Sequence, residues 1–382
     1  MMFYDANRRS SRIAARILVV LLIVGGGFGI AGNRQISGSE LESIRTVVEA
    51  TQSTRTTAKA SADFAQGTVH ANDFRNDIAA TRKAIDAYDA VAKDPNVTRL
   101  ASDSPLARFS LTPRSTLTDT VDRLENAASA VQTQTATLVN SMETTFANDF
   151  RTDGGHWLVQ VDDPANINDL VDRYGRQRSY QTLSEHLDDL KNLYALEQQV
   201  RQQVTDSIAG LHTAEANAAQ IAVPADAAAL DTAGWMGMAQ SVASTLGVQV
   251  KQTDVYGCPG VDNDGGSGSD LVIGFFCGGE RSSRNEVNML VTHPQWPAVE
   301  SSPLLVDYTK HELAHRSIMI VCGTTEPANA ANRTEAVTNS YAVLFYGASR
   351  ERIADSQQGL AAYAMDAQSD RIAQAIHSGT CA

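Results

Sequence analysis

The sequence predicts an α+β protein, in which an N-terminal membrane helix and an α-helical bundle precede a compact zincin-like domain with a small sheet. Three observations support this prediction. Arginines precede an apolar run near the N-terminus, apolar residues recur at helical spacing as far as Ala222, and β-branched runs appear only after Pro224. The 382 residues are enough for two ordinary domains.

The composition is that of a globular protein, with 43% hydrophobic and 20% charged residues. The net charge is −13, and beyond the N-terminus the basic residues are scattered among carboxylates. Nucleic acid is therefore not an expected partner.

Residues 1–12 form a basic tail, and residues 13–32 form an apolar segment without acidic residues. A membrane anchor needs about 20 apolar residues and a cleaved signal peptide about 7 to 15. Residues 13–32 suffice for an anchor if the Arg16 side chain reaches the cytoplasmic surface. We expect a single-pass anchor with a cytoplasmic tail, or a signal peptide cleaved after Ala31 and a secreted protein. Both alternatives place the following domains outside the cytoplasm.

The four cysteines all follow residue 257, and none has CxxC spacing. In an oxidising compartment the simplest pairing joins neighbours, Cys258 with Cys277 and Cys322 with Cys381. The two crossed pairings, four buried free thiols and a cysteine metal cluster are the alternatives.

Residues 37–222 are predicted to form a helical bundle or stalk. Helical stretches are expected at about 37–66, 72–92 and 115–149, separated by proline-containing segments. A longer helix follows, in which one apolar stripe includes Leu183, Leu187, Leu190, Tyr194, Val200, Val204, Ile208 and Leu211.

Residues 225–382 form the predicted second domain. After a short helix at about 225–246, the runs VQVKQTDVY, LVIGFF and NEVNMLVT predict three strands. We expect the first two to form a disulfide-closed hairpin and the third to be an edge strand. Helical periodicity then returns.

The stretch YTKHELAHRSIMIVCG, residues 308–323, predicts a helix that begins with the Ser302 cap and Pro303 and ends at Gly323. Its inward face is predicted to contain Leu304, Tyr308, His311, His315, Ile318 and Cys322.

His311 and His315 lie one helical turn apart, so both can direct a ring nitrogen at one zinc ion. Glu312 between them can reach a water on that ion and take its proton as general base. A structural pair of helix histidines is the alternative.

A third ligand is required for such a zinc site. Val321 and Ile318 exclude the HExxHxxGxxH arrangement, whereas Glu335 on the following helix is available, with Asn339 one turn further on. The fallback ligands are Glu326 and Asp307. Alternatively, Glu335 is the capping-box partner of Asn332.

With HELAH at 311–315 and Glu335 on the next predicted helix, the sequence resembles the gluzincin metallopeptidases, the thermolysin-like clan, and in particular its small single-domain members. The pattern of that clan is HExxH followed by a helix that carries ExxxD. The resemblance covers residues 225–350. It implies that His311, His315 and Glu335 bind zinc and that Glu312 is the catalytic base. Asn339 replaces the family's aspartate, which accepts a hydrogen bond from a ligand histidine.

The predicted function is that of a membrane-anchored extracytoplasmic zinc metallopeptidase, which hydrolyses peptide or protein substrates with a metal-activated water. Tyr341 and Tyr346 are the candidates for stabilising the oxyanion. The alternative is a non-catalytic envelope binding or structural protein with a degenerate peptidase-like domain.

Overall fold

The computed structural model describes residues 37–102, 114–161, 164–175, 179–258, 272–279 and 283–382. It divides the chain into two compact units, Met1–Val139 and Asn140–Ala382. The predicted basic tail (1–12) and apolar segment (13–32) lie outside the described residues. Within the described ranges, no helix is both long enough and apolar enough to cross a bilayer.

The predicted α+β fold class is wrong, because helices dominate the described residues. The three strands contain only five, three and five residues. The strand-forming runs are longer in the sequence, but only a short part of each one pairs. The N-terminal membrane helix that was part of the same prediction has no counterpart in the described part of the chain.

The first unit is helical. It contains α1 (Gly38–Gly67), α2 (Arg75–Ala92), α3 (Pro95–Ala101) and the beginning of α4 (Arg114–Gln160). A capping box between Ser37 and Glu40 starts α1. The core of this unit includes Ala58, Ile85, Tyr88, Val97, Leu124 and Val131. Arg55 and Asp89 pair beside that core, with Nη2 to Oδ2 at 2.7 Å.

The second unit contains the rest of α4 and the remaining elements. The helices are α5 (Ala165–Gly175), α6 (Leu183–Ala219), α7 (Thr232–Ser244), α8 (Trp296–Val299), α9 (Leu304–Cys322), α10 (Thr334–Tyr346), α11 (Arg350–Ser356) and α12 (Ala367–His377). The strands are β1 (Gln249–Thr253), β2 (Gly274–Phe276) and β3 (Glu286–Leu290).

The strand order is β1-β3-β2, with β3 parallel to β1 and antiparallel to β2. The predicted hairpin of the first two strands and the predicted edge position of NEVNMLVT are therefore wrong. The burial pattern agrees with this order. Val287 and Met289 of the central strand β3 are fully buried, whereas most of β1 is exposed. β2 forms one edge of the sheet and packs beside α9.

α9 is the central helix of this unit. Of its 19 residues, 15 are buried, so the predicted inward face is only part of a helix that is enclosed on all sides. The polar residues behind that face have partners within the protein. Asp307 accepts hydrogen bonds from the Ser349 N–H and from Arg352, and the Lys310 ammonium donates to the Gly347 carbonyl at 3.0 Å.

The ends of α9 match the sequence expectation at one side only. Gly323 ends the helix in the left-handed conformation, with φ 72°. At the start, Pro303 is the cap residue and no side chain caps the helix. The Ser302 hydroxyl donates instead to the carbonyl of Val299, which closes the preceding α8 turn.

Two disulfides join cysteines that are neighbours along the chain, Cys258 with Cys277 and Cys322 with Cys381. These are the two pairs predicted from the sequence. The Cα atoms are 5.4 Å apart in Cys258–Cys277 and 5.5 Å apart in Cys322–Cys381. The second bridge attaches the end of the chain to the last residue of α9.

Candidate metal centre

The packing of α10 against α9 brings three predicted metal ligands together. The Nε2 atoms of His311 and His315 are 3.2 Å apart. The Glu335 Oε2 atom is 3.1 Å from the first and 3.4 Å from the second. Ligands bound to zinc at about 2.0–2.1 Å with tetrahedral angles are about 3.3 Å apart. The three donor atoms therefore match the face of a zinc tetrahedron.

The two imidazole rings have the orientation that shared coordination requires. Their planes are at 88° to each other, with ring centroids 4.8 Å apart. Because a ring nitrogen binds a metal through a lone pair in the ring plane, rings that share an ion must have planes that meet near it. The Nε2 atoms of both rings lie within 3.4 Å of the Glu335 Oε2 atom.

Asn339 fixes the proton position on His311. The Asn339 Nδ2 amide donates to the Tyr363 carbonyl at 3.0 Å and to Gln357 Oε1 at 2.7 Å. A backbone carbonyl can only accept, so the Asn339 oxygen must face His311, whose Nδ1 is 2.7 Å away. In its neutral form His311 therefore carries its proton on Nδ1 and has a lone pair on Nε2 for a metal. A second proton, on Nε2, is the one that it donates to Glu335 when no metal is bound.

Thr338 fixes His315 in the same way. Its hydroxyl donates to the Thr334 carbonyl at 2.9 Å, and a hydroxyl has only one proton to give. The Thr338 oxygen must therefore accept a hydrogen bond from the Nδ1 atom of His315, which is 3.3 Å away. The sequence reasoning missed this residue, although it lies on α10 between Glu335 and Asn339.

The charges of the three side chains are complementary. Burial lowers the pKa of His311, but the hydrogen bond to Glu335 and the nearby carboxylates outweigh that effect and raise it. Burial raises the pKa of Glu335, but hydrogen bonds from His311 and His315 hold it far below its usual range. Glu335 is thus a carboxylate, the protonation state in which it can bind a cation.

Glu312 is buried beside the three ligands, with Oε1 4.0 Å from His311 Nε2. Burial raises the pKa of Glu312, and a hydrogen bond from the Phe276 backbone N–H partly opposes that rise. The neighbouring β2 residue must be small. A Cβ on Gly274 would lie 3.1 Å from both Cγ and Oε1 of Glu312.

The site opens into a cleft of about 520 Å³. Its wall is formed by β2, by the loop before it, by the start of α10 and by the segment after α11. Tyr363 faces His311 with ring centroids 6.2 Å apart, and burial together with Glu335 and Glu312 raises the pKa of its hydroxyl. The sequence gives no local signal for Tyr363, since the approach depends on the fold of a distant loop.

The structure separates Glu335 from its alternatives. Arg333 is the cap residue of α10, with no side-chain cap, so Asn332 and Glu335 form no capping box. Asp307 points away to Arg352 and Ser349, and Glu326 lines the cleft without joining the three ligands.

The two tyrosines that the sequence offers for stabilising an oxyanion, Tyr341 and Tyr346, are not among the residues that line the cleft. Both are fully buried. The Tyr341 hydroxyl donates to Glu215 at 2.8 Å, and the Tyr346 hydroxyl contacts Ser317 Oγ at 2.6 Å. Neither hydroxyl is therefore available to an oxyanion in the cleft, because Tyr341 points to Glu215 on α6 and Tyr346, three turns along α10 from Glu335, packs against Ser317 on α9.

A second cluster has the same residue types. His212, Glu215 and His377 have potential ligand atoms within 4.8 Å of one another. The two imidazoles, however, are stacked with centroids 3.8 Å apart and planes only 18° apart. Lone pairs in nearly parallel planes do not converge, so these rings do not fit one shared metal ion.

Comparison with known proteins identifies no relative of this chain. No protein-family model matches the chain, and neither the curated proteins nor the solved structures include a significant match.

Proposed function

We propose that this chain is an extracytoplasmic zinc-dependent peptidase of the gluzincin type. The observation that carries the proposal is the convergence of His311 Nε2, His315 Nε2 and Glu335 Oε2, which are 3.1–3.4 Å apart at the base of an open cleft. The two disulfides support an oxidising compartment outside the cytoplasm.

In this proposal His311, His315 and Glu335 hold the metal, while Asn339 and Thr338 keep both imidazoles in the tautomer that has its lone pair on Nε2. Bound zinc would polarise the scissile carbonyl and activate the attacking water. Asn339 is neutral where the gluzincins have an aspartate, so it orients His311 without adding negative charge.

Glu312 takes the proton of the attacking water and then passes it to the leaving amine. The carboxylate is in place for this role because the Phe276 N–H holds it and Gly274 leaves space for it. The burial that raises its pKa also favours protonation between the two transfers.

The experiment compares the purified full-length protein with Glu312→Gln in zinc content and in cleavage of an unfolded protein. We expect one zinc per chain in both, and a loss of about 10²–10⁴-fold in kcat/KM for Glu312→Gln. Glu351→Gln, which removes an exposed carboxylate outside the cleft lining, is the matched control and should remain active. Equal activity of the wild type and Glu312→Gln would overturn the proposed base, and a zinc-loaded protein with no hydrolysis would favour a binding protein.

A further inference from the structure

The charged groups that line the cleft are carboxylates and histidines. They are His293, His311, Glu312, His315, Glu326 and Glu335, and no lysine or arginine is among the described lining residues. The two charges of a bound Zn²⁺ would balance Glu312 and Glu335. The carboxylate of Glu326 is then the only lining charge without a counter-charge among the described lining residues. Glu326 is exposed and lies in the segment between α9 and α10.

The surroundings of the cleft have the same sign. Asp355 directly precedes the lining residue Ser356, and Asp254 lies two residues before the lining residue Tyr256. Both are exposed, and neither forms an ion pair with a described residue.

Arg316, next to the lining residue His315, lines a different cavity and donates to the Arg284 carbonyl. Two other arginines close in sequence to lining residues are ion-paired. Arg333 pairs with Asp366 at 2.7 Å, and Arg352 pairs with the buried Asp307 at 2.6 Å.

A cleft with walls of one sign concentrates ligands of the opposite sign and repels those of the same sign. We propose that the cleft selects cationic polypeptide segments and rejects acidic ones, with Glu326 as the residue that sets this preference. The inference rests on the proposed peptidase function and specifies its substrate class.

Three quenched fluorescent peptides of equal length test the preference, with lysine, glutamine or glutamate at the positions beside one common cleavable sequence. We expect the full-length zinc-loaded protein to cleave the lysine peptide with the highest kcat/KM and the glutamate peptide with the lowest. Glu326→Lys should reduce the lysine-to-glutamate ratio by roughly fivefold at low salt. Added salt should reduce the wild-type ratio toward one, because it screens exposed charges.

Glu351→Lys is the matched control, because it makes the same charge change at an exposed position outside the lining. It should leave the ratio unchanged. Equal cleavage of all three peptides by the wild type would overturn the inference. An equal change of the ratio in Glu326→Lys and Glu351→Lys would overturn the role of Glu326.

A binding measurement separates this inference from the proposed function. The same peptides, labelled but intact, are titrated into zinc-loaded Glu312→Gln protein and followed by fluorescence anisotropy. Tighter binding of the lysine peptide supports the cationic preference even if the wild type cleaves nothing, in which case only the peptidase proposal fails. Equal binding of the three peptides contradicts the preference, whatever the wild type cleaves.

Discussion

Two clusters of two histidines and one glutamate occur among the described residues, and they differ in geometry rather than in composition. In the cluster of His311, His315 and Glu335, the ring planes are at 88° and three donor atoms converge. In the cluster around Glu215, the imidazoles are stacked with planes 18° apart. The comparison teaches that residue type alone does not define a metal site, since the lone pairs must also meet.

Neighbouring side chains impose the difference. At the first cluster, Asn339 and Thr338 each accept a hydrogen bond from an Nδ1 atom and direct Nε2 to the shared point. At the second, the Phe345 ring stacks on His377 with planes 6° apart, and Glu215 accepts the Tyr341 hydroxyl. The first arrangement leaves three donor atoms converging on one point, whereas the second packs three helices together.

The largest expected effect comes from removing one carboxylate from each cluster in turn. Glu335→Gln should weaken zinc binding by roughly 10²–10³-fold, because one of three ligands loses its charge. Glu215→Gln should leave zinc affinity unchanged. Competition with a chromogenic chelator measures both. Equal losses, or a loss only in Glu215→Gln, would contradict the assignment of the metal to the first cluster.

The next effect tests the proposed base, Glu312. The second cluster contains no residue in an equivalent position among its three members. In Gly274→Val the added side chain would start 3.1 Å from the Glu312 carboxylate and displace it. Displacement of a catalytic group by about 1 Å costs on the order of 10²-fold in rate. We expect that loss in kcat/KM with zinc still bound. Gly279→Val is the control, because a Cβ there meets no atom within 4 Å; a full loss in the control would refute the explanation.

A smaller effect concerns the residues that orient the ligands. Asn339→Ala removes the acceptor from His311 and should reduce zinc affinity by about 10–100-fold. Asn339→Asp keeps the acceptor and adds a charge, so its zinc affinity should equal or exceed that of the wild type. The chelator competition ranks the three proteins. If Asn339→Ala bound zinc as tightly as the wild type, Asn339 would have no orienting role.

The smallest effect is a pH dependence at the second cluster. Burial and the neighbouring His377 lower the pKa of His212 below its usual 6.5, while Glu215 opposes them. The unfolded chain therefore binds more protons below pH 6.5, and this contribution to stability is lost as the pH falls. In thermal unfolding, the wild type should lose more stability on acidification than His212→Gln does. Parallel pH profiles would show that His212 is not involved.

The three side chains that converge in the candidate site could be predicted to lie together because their placement depends on short-range patterns. Two histidines four residues apart share a helix face, and Gly323 ends that helix as its position suggests. Glu335 follows at a distance that allows one turn and an antiparallel helix. Thr338, Gln357 and Tyr363 were missed because each acts through a contact that exists only after distant segments pack.

The fold class was the less successful prediction, and the reasons are physical. Strand-forming runs overestimated the sheet, since only a few residues of each run pair. The predicted inward face of α9 did not include Asp307, Lys310 or Arg316, yet all three are buried with partners on other elements. A sequence pattern cannot distinguish a solvated charge from one that is paired inside the protein.

The most direct test of the account is a crystal structure of the zinc-loaded protein with anomalous diffraction recorded at the zinc absorption edge. The account predicts one strong peak about 2 Å from His311 Nε2, His315 Nε2 and Glu335 Oε2, and no peak beside His212 and His377. A zinc peak at the second cluster, or a Glu335 carboxylate turned away from an unoccupied first cluster, would contradict it.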